Sequence, residues 1–197
     1  MSRKLVVLTF VSLDGVMQAP GGKGEDPSSG FNLEGWTVPY FDEALGNEMG
    51  KQMGQPFDLL LGRKTYDVFA SYWPQHDSPI NQARKYVVTG NVIHTDWEGT
   101  IQIKGDVPAE IQKLKQQDGP MLQVHGSSSL VQTLLANDLV DELWLKIFPV
   151  TLGKGKRLFG GGTIPAAFKL IEAYNTPSGV ILAAYKREGD LQLGSFT

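Results

Sequence analysis

The stretch MLQVHGSSSLVQTLL, Met121 to Leu135, decides how the rest of the chain is read. Met121 to Val124 is an apolar run of strand length, and Leu130, Val131, Leu134 and Leu135 then recur at helical spacing on one face. Between them Gly126 allows close backbone approach, while Ser127, Ser128 and Ser129 can cap the helix and offer hydroxyls beside its unpaired N–H groups. A buried strand that turns directly into an amphipathic helix is anion-binding architecture, because the turn meets the positive end of the helix dipole. A plain serine-capped connection uses the same residues, so this stretch alone leaves both readings open.

The whole chain has 197 residues, with 18 Lys+Arg against 21 Asp+Glu and a formal charge of −3. Such a length suits a single domain over residues 1–197 with a core of its own. No basic block marks a nucleic-acid or membrane surface, and no apolar segment approaches the ~18 residues needed to span a bilayer. A small-molecule partner is therefore expected, with no nucleic acid and no membrane. The absence of cysteine excludes a disulfide framework, a thiol nucleophile and a Cys-based zinc site, and fits the cytoplasm as the expected location. The N-terminal apolar run is broken by Ser12 and Asp14 and reads as a first strand rather than a signal peptide.

Lys4 to Phe10 is a near-continuous aliphatic run, as for a central strand covered on both faces. It leads into Ser12-Leu13-Asp14-Gly15, where Asp14 is either a turn residue bonded to its own backbone or a ligand group at a strand end. Ala19 to Gly35, rich in Gly and Pro, reads as a long mobile loop without a core. From Pro39 a helix is expected, with Phe41, Leu45, Met49 and Met53 in the core. Trp36 and Tyr40 beside it either pack or line a pocket for a flat ring. The strand FDLLL, Phe57 to Leu61, runs into Gly62-Arg63-Lys64-Thr65-Tyr66 and repeats the strand, turn and helix succession. Arg63 supplies a forked cation and Thr65 a hydroxyl at that helix start, unless Arg63 is merely solvated.

Lys85 to Thr89 is a third strand ending in a polar turn, and Ile101 to Ile103 a short fourth. A helix begins near Asp106 and Pro108, with Ile111 and Leu114 inward and Lys113 and Lys115 outward. After the opening stretch, Asp138 to Phe148 leads into a strand, and Phe168 to Tyr174 with Val180 to Lys186 makes an antiparallel pair.

Several motifs are excluded. The run Gly153-Lys-Gly155-Lys-Arg-Leu158 fails the dinucleotide fingerprint at its last position, and no Gly-Lys pair is followed by Ser or Thr as a P-loop requires. Gly126-Ser-Ser128-Ser-Leu130 lacks the second glycine of a nucleophile elbow. His76, His94 and His125 are scattered, so no metal site is expected, and His125 reads as a turn or core histidine.

Four segments in order, VSLDG at 11–15, LLLGRKTYDVF at 59–69, VHGSSSLVQTLL at 124–135 and LVDELWLKIFPVTLGKGKRLF at 139–159, resemble the dihydrofolate-reductase-like family. The nearest resemblance is to the reductase half of the bifunctional riboflavin-biosynthesis enzyme. It implies an α/β three-layer sandwich: a mixed, mostly parallel sheet with helices on both faces and antiparallel C-terminal strands. It also implies NADPH along the strand ends, with Gly62, Arg63 and Thr65 on cofactor phosphates, Thr89 near the adenosine and Gly126, Ser127, Ser128 and Ser129 around the pyrophosphate. Where many relatives have two successive glycines, this chain has Gly126-Ser127. Asp14 matches the family's Ser-Leu-Asp-Gly aspartate beside nicotinamide and substrate, with Trp36 and Tyr40 on the substrate side. The folate-reducing relatives' carboxylate falls on Phe41, with Asp42 one residue further as the candidate proton donor, which argues against dihydrofolate as substrate. The implied reaction is hydride transfer from NADPH to a pyrimidine, pterin or other heterocycle, in a homodimer built on the C-terminal strands. A chain without cysteine lacks the zinc deaminase half of the bifunctional enzyme.

Overall fold

A computed structural model describes residues 2–93 and 97–196, so His94 lies outside the described residues. The first apolar run forms β1 (Leu5–Ser12), buried along its length apart from half-buried Phe10. The other strands are β2 (Phe57–Gly62), β3 (Lys85–Val88), β4 (Thr100–Ile103), β5 (Met121–Val124), β6 (Glu142–Phe148), β7 (Ala167–Asn175) and β8 (Ile181–Gly189). Among the described residues four α-helices, α1 (Glu43–Met53), α2 (Arg63–Tyr72), α3 (Val107–Gln116) and α4 (Ser128–Ala136), join them, with short 3-10 turns between. The sheet runs β4-β3-β2-β5-β1-β6-β8-β7. Neighbours are parallel from β4 to β6, and β8 lies antiparallel to both β6 and β7. β1 is central, with Val7 opposite Val124 on one side and Leu143 on the other.

Strand alternation divides the core between two faces. Leu5, Val7, Leu60, Leu122 and Val124 pack with Ile111 and Leu114 of α3 and with the apolar stripe of α4. Leu59, Leu61 and Val87 face the other way, against Tyr66 of α2, and Phe148 and Leu182 pack with Leu45 of α1. Each buried aliphatic side chain contributes about 1.5–3 kcal/mol, and a one-residue slip would turn every one of them to the wrong face. The result is the expected three-layer α/β sandwich with helices on both faces of a mixed sheet.

Three local expectations change. Helix α1 starts at Glu43 rather than at Pro39, because the Asp42 side chain accepts from Leu45 N and caps it. Phe41 consequently sits outside the helix and is exposed, and Leu45 alone of the four expected core residues is fully buried. Lys115, expected outward, is buried: its Nζ donates to Leu139 O at 2.8 Å and meets Asp141 Oδ2 at 2.7 Å. The Ala19–Gly35 loop is bonded throughout and buries Phe31 in the core. Glu25 accepts from Gly21 N, Glu34 from Gly24 N and Asp26 N, and buried Gln18 donates to Asp26 O and Ser28 O.

Candidate active site

Because β5 is inserted between β2 and β1, the turns that follow β2 and β5 emerge side by side. Gly62 N donates to Gly126 O at 3.1 Å. A Cβ on Gly62 would lie 2.1 Å from Ser127 Oγ, and one on Gly126, whose φ is +150°, would lie 2.6 Å from Thr65 Oγ1. Glycine at both positions is what allows the two turns to touch. The peptide between Gly126 and Ser127 is cis. Ser127 occupies the N-cap of α4 without making a side-chain cap; its hydroxyl pairs with Ser129 Oγ at 3.0 Å. Helix α2 likewise starts at Gly62 with no side-chain cap. Two helix N-termini, each with unpaired first-turn donors, thus converge at the carboxyl ends of adjacent parallel strands.

Their helices leave on opposite faces of the sheet, and a cleft of about 1100 Å³ opens between them. Gly62, Arg63, Thr65, Thr89, Gly126, Ser127, Ser128 and Ser129 all line it. So do Lys23, Lys64, Lys146 and Lys156, which makes five cations with Arg63 against two carboxylates, Glu25 and Asp26. A positive cleft in a chain of net charge −3 is a local arrangement, not a consequence of composition. Arg63 is oriented by Asp67, with Nε to Oδ1 at 2.8 Å, and donates to Val92 O at 3.0 Å. Asp26 bridges Lys64 and Lys156, both at 2.5 Å, and so ties the 19–35 loop across the mouth. Burial would raise the Asp26 carboxyl, but the bonds from Lys156, Lys64 and Ser28 outweigh it and hold it below the usual carboxylate range.

The residues expected on the substrate side are placed elsewhere. Asp14, Trp36, Tyr40 and Asp42 do not line the cleft. Asp14 ties the end of β1 to the segment after β6, accepting from Ser12 Oγ at 2.6 Å, Leu152 N at 3.0 Å and Gly153 N at 2.8 Å. The Ser12 bond, with the two backbone donors, brings its carboxyl down to about 2. Asp42 caps α1 and also accepts from Ser178 N at 2.9 Å, in the turn between β7 and β8; the Leu45 bond leads in lowering it to about 2. Carboxylates so held are ionised at neutral pH. Trp36 is buried with Nε1 donating to Gln18 O, and the Tyr40 ring packs edge-on against Phe148.

The cleft is completed by residues that the sequence reading did not assign to a site. Phe10, Met49, Met53, Phe69, Tyr72 and Trp73 form apolar walls. Lys146 stands among them, buried, with Nζ donating to Gln52 Oε1 at 2.7 Å and 5.7 Å from the centre of the Phe10 ring. Burial pushes its ammonium down to about 8. His125 pairs with Gln123 Oε1 at 3.2 Å, and burial followed by the Lys146 charge pushes it down to about 3, so its imidazole is neutral. A signal for Lys146 was present: a charge inside LWLKIF, a run that is apolar on both sides. Among the described residues no cluster of His, Cys, Asp or Glu is placed to hold a metal.

A family model described as the RibD C-terminal domain matches residues 3–182. The chain belongs to that family. Among curated proteins, the chain is 27% identical over 200 residues to the uncharacterized protein YyaP of Bacillus subtilis, covering 95% of this chain and 96% of YyaP. Among solved structures it is similar to a pyrimidine reductase-like protein from Corynebacterium diphtheriae, with TM-score 0.66, 14% identity, and 95% and 93% of the two chains covered. A dihydrofolate reductase from Enterococcus faecalis complexed with NADP(H) gives TM-score 0.61 at 15% identity, over 95% of this chain and 99% of that one. At those identities the structural likeness shows the fold, which is dihydrofolate-reductase-like. No helix among the described residues is long and apolar enough to cross a membrane.

Proposed function

We propose that this protein is an NADPH-dependent reductase of a heterocyclic substrate, with the ribosylaminopyrimidine phosphate of riboflavin biosynthesis as the first candidate. The observation that carries the reading is the pairing of two helix N-termini at Gly62–Thr65 and Gly126–Ser129 in one cation-rich cleft. A dinucleotide needs that donor set: backbone N–H groups and hydroxyls for a pyrophosphate, and a forked cation for a further phosphate. The residues present fit the group. When bound, the cofactor supplies the hydride, and the chain holds and orients it. Thr65, Ser127, Ser128 and Ser129 offer hydroxyls, Arg63 reads the 2′-phosphate, and Thr89 borders the adenosine end. The family membership and the reductases among its structural neighbours support the same class of activity.

Titration of NADPH and NADH by calorimetry tests this directly. We expect saturable binding that favours NADPH, and Arg63→Ala should weaken NADPH by roughly tenfold or more, as for a lost charge-assisted hydrogen bond of about 1.5–3 kcal/mol, while leaving NADH nearly unchanged. No saturable binding of either nucleotide overturns the reading.

A non-catalytic nucleotide-binding protein is the second reading. It is favoured by the cleft's carboxylates, since Glu25 and Asp26 belong to the loop and Asp14 and Asp42 lie outside. NADPH binding without turnover of the ribosylaminopyrimidine, pterins or simple carbonyls would support it. A homodimer built on the C-terminal strands belongs to the same proposal: edge strand β7 leaves Leu170, Ile171 and Tyr174 exposed.

A further inference from the structure

Four cationic side chains are buried among the described residues: Arg3, Lys85, Lys115 and Lys146. Three of them are compensated in the manner a buried charge requires. Arg3 pairs with Asp58 and donates to Pro120 O. Lys85 donates to Asn81 O at 2.6 Å and Glu98 O at 2.9 Å, and Lys115 is held by Leu139 O and Asp141. Lys146 has less: like Lys85 it meets no carboxylate in ion-pair contact among the described residues, but where Lys85 has two carbonyl acceptors, Lys146 is given one, Gln52 Oε1, beside the Phe10 ring.

Glu48 of α1 faces Lys146 but is engaged elsewhere. It accepts from Gln52 Nε2 at 3.0 Å and from the Tyr174 hydroxyl, and it lies 3.8 Å from Lys51 Nζ. The Gln52 carboxamide thereby stands between the cation and the carboxylate. Its main chain is anchored in turn by Gln123 Nε2, which donates to Gln52 O at 2.9 Å. An ammonium carries three donors, so Lys146 retains donor capacity beyond Gln52, and it lines the cleft. The walls there are aromatic rings and methionines, suited to a flat ring.

We infer that Lys146 is the substrate anchor of this cleft, and that the substrate is a planar heterocycle presenting an anionic oxygen to it. The inference rests on the reductase reading and names the substrate class for it. An incoming oxyanion completes the coordination that the fold leaves short, and Gln52 holds the ammonium in place to receive it. At neutral pH the ammonium form still predominates, since burial lowers Lys146 only to about 8. A site of this polarity selects against a ring that presents a cationic N–H pair, which needs a carboxylate instead.

The test uses NADPH-loaded protein and three pyrimidines of similar size: barbiturate with an ionised ring oxygen, orotate with a carboxylate, and neutral thymine. We expect one or both anions to bind at least tenfold tighter than thymine, and the stronger of the two identifies the source of the oxyanion. Lys146→Met should erase the difference, Lys146→Arg should keep most of it, and the Kd for NADPH should stay within about twofold in both. The inference is overturned if the three compounds bind alike, if none binds while NADPH does, or if Lys146→Met keeps the preference. The wild-type comparison decides the matter even where the methionine variant does not accumulate in folded form. Loss of NADPH binding by the wild type would instead overturn the cofactor reading.

Discussion

Lys146 occupies a position where a charge is costly, and that cost has a measurable sign. Burial holds its ammonium at about 8 against an ordinary 10.5, so the charged form opposes folding. Stability of the wild type should accordingly rise as pH increases from about 8 to 10.5, where the folded chain has released a proton that the unfolded chain still binds. Lys146→Met removes the charge but keeps a flexible apolar stem. At neutral pH it is expected to stabilise the protein by about 1–3 kcal/mol, or about 2–10 °C in Tm, with the advantage shrinking as the pH passes the ordinary lysine range. Thermal melts of both proteins across that range check this, and a destabilised variant at neutral pH would show that Lys146 is already satisfied without a ligand. The residue types of the proposed cofactor side were legible because glycine, serine and threonine at a strand-to-helix junction carry a local meaning. Lys146 was legible only as an anomaly in an apolar strand. Whether such a lysine meets carbonyls, as Lys85 does, or a cleft depends on which segments pack over it.

At the scale of the elements, two aspartates act as ties. Asp14 joins the end of β1 to the segment that follows β6, and Asp42 joins the start of α1 to the β7–β8 turn. Each shows how one sequence signal serves two structures: a carboxylate at a strand end, or just before a helix, is equally a ligand group and a cap. Both carboxyls are lowered from 3.8 to about 2, so their contribution is complete above about pH 4 and is lost as pH falls through 2. The Asp14→Asn, Asp42→Asn double variant should therefore be less stable than wild type at neutral pH and show a flatter stability profile between pH 4 and pH 2. Urea midpoints measured at a series of pH values test it; parallel profiles for the two proteins would remove these ties from the acid response. The 19–35 loop followed the same logic in reverse. Its glycines and prolines read as mobility, yet Glu25, Glu34 and Gln18 satisfy its backbone groups and Phe31 fixes it to the core. Those bonds join residues whose mutual distance no local pattern specifies.

For the molecule as a whole, the exposed apolar side chains of edge strand β7 are the feature that monomer packing leaves unexplained. Leu170 and Ile171 are 50% and 52% exposed on this edge strand, at its bulge. Such an edge is a template for association unless a partner covers it. Light scattering at micromolar concentration should report a dimer, and Ile171→Lys should yield monomers with NADPH binding retained; a monomeric wild type would assign the face to something other than a second copy. The sequence by itself determined the elements and the sheet's character. Aliphatic runs bounded by polar turns mark β1, β2, β3, β5 and β6, and helical spacing marks α3 and α4, because burial periodicity is a local property of the chain. It also marked the two strand-to-helix turns, in which glycine and small hydroxyl residues stand at a helix start, while leaving open whether they serve an anion or a plain connection. Only the tertiary structure decided that those turns meet. The insertion of β5 between β2 and β1 places Gly62 against Gly126 across 64 residues of chain, and the same strand order seats Lys146 of β6 in the cleft beside Gln52 of α1. Strand order is settled by which faces bury best against one another, a long-range competition that leaves no signature in any single segment.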